Sequence, residues 1–193
     1  MNFTQYLSYF SEIIDGDSVV PPYDDPDYMD YAKLNWSRTN RWLKRGVIDT
    51  EAGEVVKAVN QPQEWILITE PWCGDAAHSV PFIHMLAVGN PLITLSIELR
   101  DQAPMRIDQY LTNGTRSIPK LIVRDAKGND LLTWGPRPAA LQSRFDQMKA
   151  DGHTLDAMKE ELQKWYNQDN GQAVQQELAA LLREHSAPMQ QGV

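Results

Sequence analysis

The sequence predicts an α/β domain, and three observations carry that expectation. The apolar run Trp65-Ile66-Leu67-Ile68-Thr69 has the composition of a buried strand and gives way to a helix-compatible stretch from Ala76 to Leu86. Lys120–Val123 and Asp130–Trp134 flank Asp125-Ala126-Lys127-Gly128-Asn129, which is the turn chemistry of a hairpin. Helical periodicity fills the stretches on either side of these strands.

Taken in order, Phe3, Tyr6, Leu7, Phe10, Ile13 and Ile14 recur at intervals of mostly three and four. Residues 3–14 therefore form an amphipathic helix, read as packing on the core rather than on a membrane. Pro21-Pro22-Tyr23-Asp24-Asp25-Pro26 interrupts the pattern, and Pro26 suits a first helical turn. The next helix runs from Asp27 to Arg45, with Tyr28, Tyr31, Leu34 and Trp42 expected on its buried face. Arg38, Arg41, Lys44 and Arg45 are read as a solvated helix end, favourable at the negative end of the dipole. Asp49 or Thr50 caps a short helix reaching Val59, and Asn60-Gln61-Pro62 leads into the first strand.

After Asn90-Pro91, Leu92–Leu99 is read as a central strand. Pro104 opens a short helix over Met105–Leu111, stopped by Asn113-Gly114. Beyond the hairpin, Pro136 and Pro138 precede a helix from near Ala139, with Leu141, Phe145 and Met148 inward. Helices over Thr154–Tyr166 and Gln172–Arg183 follow, joined by Asp169-Asn170-Gly171, and Ser186–Val193 is expected to fray. The organisation is one domain over 1–193: a helical extension (1–60) expected to pack on the core, the core itself (61–150), and C-terminal helices (151–193).

A net charge of −8 argues against nucleic acid and anionic membranes as generic partners. No run approaches the roughly 20 apolar residues of a membrane span, and the first residues lack the pattern of a secretory signal. One cysteine cannot form an internal disulfide, which fits a reducing compartment; the cytoplasm is the expected location.

That cysteine lies in Glu70-Pro71-Trp72-Cys73-Gly74-Asp75-Ala76, at the junction of strand and helix. Pro81 follows it by eight residues. Gly114-Thr115-Arg116-Ser117-Ile118-Pro119 leads into Lys120–Val123, and Gly135 follows Leu131–Trp134. In order and spacing these resemble the thioredoxin superfamily: its Trp-Cys-Gly active-site start, helix proline, cis-proline loop and hairpin-closing glycine. The resemblance covers about residues 61–150 and implies a thioredoxin-like fold, a central mixed sheet with helices on both faces. The Trp-Cys-Gly-Asp form resembles a group of bacterial thioredoxin-like proteins. Two positions depart from the family pattern. Ala76 stands where a thioredoxin has its resolving cysteine, and Leu67 where many have a buried acid.

A cysteine at a helix N-terminus favours its thiolate, because unpaired N–H groups and the positive end of the dipole stabilise S⁻. Nearby Asp75 and Glu70 act in the opposite direction, and free cysteines are among the most buried residues. Without a second thiol at Ala76, a mixed disulfide on Cys73 awaits glutathione, another thiol or a partner protein. The resemblance implies that Pro119 is cis and that the adjoining backbone pairs with a substrate chain. Ile118 is expected beside Trp72, giving the groove an apolar mouth, while Gly74 and Asp75 set the environment of the thiol. His78, read as a surface residue, and His84 make no zinc pattern with a single cysteine. No metal or resident cofactor is expected, and no nucleotide fingerprint occurs. Two functions follow: monothiol thiol–disulfide exchange through Cys73 with a peptide or glutathione-type partner, or a non-catalytic protein that binds in the Trp72/Ile118/Pro119 groove.

Overall fold

The computed structural model describes residues 1–16 and 20–186. Its centre is a four-stranded mixed sheet of β1 (Gln63–Thr69), β2 (Ile93–Leu99), β3 (Lys120–Asp125) and β4 (Asp130–Trp134), in the order β2-β1-β3-β4. β1 runs parallel to β2, with Leu67 opposite Ile97, and antiparallel to β3, with Leu67 opposite Leu121. Trp65–Ile68 are buried because β1 has neighbours along both edges and is covered on both faces. β2 is an edge strand rather than the central strand expected from its sequence. Its outer edge is not bare, since the Met1 and Ile97 backbones exchange two hydrogen bonds (2.7 and 2.9 Å).

Parallel strands need a crossover, supplied here by α4 (Gly74–Ala87), where every residue from Ala76 to Ile83 is buried. A helix apolar on all sides must be enclosed. α4 contacts β2, α2 (Pro26–Arg45), α3 (Thr50–Lys57) and α7 (Gln172–Ser186). α1 (Phe3–Ile14) begins with an Asn2/Gln5 capping box and lies on α2 and β2. Side chains of α1, α2, α3, α4, α7 and the sheet join in one hydrophobic cluster. α5 (Ala139–Ala150) and α6 (Leu155–Asp169) pack on each other.

The buried face of α2 differs from the expected one. Ala32, Asn35, Thr39 and Trp42 are buried, whereas Tyr28, Tyr31 and Leu34 are exposed. The stripe is partly polar because its side chains have buried partners: Asn35 donates to the Pro71 carbonyl (3.0 Å) in the loop before Cys73. Hydrophobic spacing alone cannot register a helix face whose partner is backbone. The expected helix over Met105–Leu111 is one 3-10 turn, Arg106–Gln109, preceded by Met105 in the left-handed region (φ 56°). Of the end expected to fray, Ser186 closes α7, and residues 187–193 lie outside the described residues.

Candidate functional site

The strand-to-helix junction places Cys73 as the N-cap of α4, with its backbone N–H bound to the Glu70 carbonyl (3.0 Å). The Ile118–Pro119 peptide is cis, and Sγ donates to the Ile118 carbonyl (3.3 Å). Cys73 is only 6% exposed. Burial and the nearby Asp75 carboxylate push its thiol up to about 12, although the Ala76 and Asp75 backbone N–H groups and Arg137 act in the opposite direction. The thiolate-favouring effect of a helix N-terminus is present but outweighed, so of the two opposing effects read from the sequence the one that raises the pKa prevails.

Cys73 opens on a groove of about 430 Å³ shared with Trp72, Gly74, Asp75, Ile118, Arg100 and Arg116. Thr115, Ser117 and Arg137 complete its wall. Ala76 and Pro119 are buried and do not line it. The mouth is polar and cationic instead of apolar, because the Ile118 side chain is buried while three arginines border the opening. All three are held in place by acids: Arg100 pairs with Asp101, Arg116 with Asp108 and Arg137 with Asp75 (2.6 Å each). The Arg100 guanidinium also lies 4.6 Å over the Trp72 ring, where the negative π face attracts it.

Asp75 is the hub of a network that joins four parts of the chain. It accepts from Arg137 Nη2 (2.6 Å) and from the Tyr166 hydroxyl on α6 (2.7 Å). Arg137 reaches Gln142 on α5 (3.1 Å). Tyr166 stacks on His78 at 4.3 Å, with the rings 5° from parallel. His78 is buried (3% exposed), contrary to its expected place on the surface. Its Nδ1 accepts from the Trp42 indole on α2 (2.9 Å), which leaves Nε2–H to donate to Gln163 (3.2 Å). Burial, then the charge of Arg38, lowers its pKa to about 3, so the ring is a neutral structural pivot.

Glu70 is also buried (4% exposed) and accepts from the Tyr23 hydroxyl (3.4 Å) and the Asp101 N–H (3.3 Å). Burial raises its pKa to about 7. Arg38 departs from the solvated helix end assigned to it: it is half-buried, bonds Asn35 Oδ1 (2.9 Å) and approaches Gly74, while Lys44 and Arg45 are exposed as expected. The sequence carries no local signal for Arg137, Tyr166 or Arg38 as site neighbours; the first two lie 62 and 91 positions from Asp75. Among the described residues, no cluster of His, Cys, Asp and Glu could hold a metal ion, and no helix is long and apolar enough to cross a membrane.

A protein-family profile described as thioredoxin matches residues 23–149. No curated protein matches the chain. Among solved structures, it is similar to a protein of unknown function from Pseudomonas aeruginosa, with 17% identity, a TM-score of 0.57 and coverage of 81% of this chain and 86% of the other. It is also similar to an HIV epitope-scaffold, with 15% identity, a TM-score of 0.56 and coverage of 95% and 99%. At these identities the likeness establishes the fold.

Proposed function

We propose that this chain, which belongs to the thioredoxin family, uses the groove beside Cys73 to bind an extended anionic peptide segment and does so without redox turnover. One observation carries the reading: the Cys73 thiol is buried, donates to Ile118 O and is pushed up to about 12. At neutral pH it is a protonated structural group, and the thiolate needed for exchange is scarce. Ala76 also offers no thiol to resolve a mixed disulfide. Arg100, Arg116 and Arg137 each hold an acid of the chain, and a guanidinium has five N–H donors, so the groove keeps donors suited to a further carboxylate. The chain is assigned to the cytoplasm, where a single free thiol persists.

A second reading, monothiol exchange with a glutathione-type partner, is favoured by the position of Cys73 at the start of α4. There the Ala76 and Asp75 N–H groups and Arg137 all lower its pKa. The pH dependence of Cys73 alkylation by iodoacetamide, followed by intact mass, separates the two. Binding without redox turnover requires a midpoint above that of a free cysteine, about 8.5, with slow labelling at neutral pH. A midpoint below neutrality, with a mixed disulfide trapped by oxidised glutathione and lost in Cys73→Ser, establishes exchange and rejects the binding-only assignment.

A further inference from the structure

Next to the Cys73 groove, with which it shares Trp72, Gly74 and Asp75, the first turn of α4 meets α2 and the middle of α6 around a cavity of about 470 Å³. That volume is in the range of small-molecule sites. Its apolar wall is made by the rings of Tyr28, Tyr31, Trp72 and Tyr166 together with Leu162. This accounts for the two tyrosines of α2 that stay at the surface instead of entering the core. We propose that this cavity binds a small aromatic carboxylate, its ring held among the tyrosines and Trp72 and its anionic end against Arg38 at the start of α4.

The charge of the ligand follows from what Arg38 lacks. Among the described residues no carboxylate lies within 4 Å of its guanidinium, and its side-chain partner is the neutral Asn35. Burying such a cation without an anion is unfavourable, and burial together with Arg41 weakens its hold on its proton. Arg38 Nη1 would lie 3.7 Å from a Cβ on Gly74, the first residue of α4. The guanidinium therefore stands beside the first residue of α4, on the wall of the cavity.

The carboxylates in the cavity do not fill this role. Asp75 is committed to Arg137 and Tyr166, Asp25 caps α2 through the Asp27 N–H, and the third, Asp27, stands in the first turn of α2 with no ion pair to Arg38. Lys159 is drawn to the Tyr31 hydroxyl and, at 3.6 Å, to Asp156. A separate observation concerns Trp72, whose indole N–H is buried without an acceptor. A buried donor of this kind calls for a partner, and Trp72 is a wall of this cavity.

The experiment titrates the full chain with 2-naphthoate and with its uncharged amide, 2-naphthamide, by calorimetry, and follows the Trp72 indole N–H resonance. Naphthoate is expected to bind at least about tenfold more tightly than the amide, the advantage of a charge-assisted contact, and to shift that resonance. Arg38→Gln should remove the preference, and Leu162→Trp should weaken both probes by filling the cavity. Equal binding of acid and amide, no binding of either, or a preference that survives Arg38→Gln overturns the proposal. Cys73→Ser should leave naphthoate affinity unchanged, which keeps this outcome independent of the function assigned to the groove.

Discussion

At the scale of single residues, burial acts most strongly on the Cys73 thiol, and after it Asp75 outweighs the helix that Cys73 caps. Asp75 raises the thiol pKa and at the same time holds Arg137 and Tyr166. Asp75→Asn therefore has two separable effects. The alkylation midpoint of Cys73 should move down, since a nearby negative charge is removed. Stability to urea should fall by about 3 kcal/mol, because Arg137 is left largely buried without its carboxylate. An unchanged midpoint would show that burial alone sets the thiol. The sequence allowed both directions for Cys73, because the opposing carboxylate and dipole effects could be named but not weighed without the distances.

At the scale of elements, the loop before β3 and the end of β4 are locked together by Gly135. Its φ of +108° suits glycine, and a Cβ there would lie 2.2 Å from the Pro119 carbonyl oxygen. Gly135→Ala must strain the backbone and displace the Ile118–Pro119 segment that accepts the Cys73 thiol. A loss of more than about 2 kcal/mol in urea denaturation, with faster Cys73 alkylation, is the expected outcome; an unperturbed alkylation rate would separate this contact from the groove. Gly135 was legible as a hairpin-closing glycine, but its contact with Pro119 O was not. The same division holds for α2. Its limits were plain from Pro26 and Gly46, whereas its inner face was not, since Asn35 is buried for a carbonyl on another segment.

At the scale of the whole molecule, two buried titrating groups oppose each other. Glu70 has a folded pKa near 7, raised from 4.5, so the folded state binds its proton more tightly. Its contribution is full below 4.5 and is lost as pH rises through 7. His78 has a folded pKa near 3, lowered from 6.5, so its contribution is full above 6.5 and is lost as pH falls toward 3. Between 4.5 and 6.5 the two slopes have opposite sign and largely cancel. In Glu70→Gln, stability should rise with pH across this window more steeply than in the wild type, by up to about 1.4 kcal/mol per pH unit. His78→Gln should show the reverse change in slope. Parallel curves for all three proteins would mean that neither group is buried as described.

The amino-acid sequence by itself determined the α/β class, the four strands and, to within a few residues, the seven α-helices found among the described residues, and the position of the single cysteine between β1 and α4. These follow from periodicity, proline and glycine placement and turn chemistry, all of which act over a few neighbouring residues. Only the tertiary structure decided that β2 lies at the sheet edge, that His78 is buried, that the groove is lined by arginines, and that Arg38 borders a cavity with no carboxylate partner among the described residues. Each of these depends on groups far apart in the chain: Arg137 and Tyr166 meet at Asp75, and Trp42 meets His78. Desolvation and hydrogen-bond partnership are properties of that packing, and no local pattern encodes them.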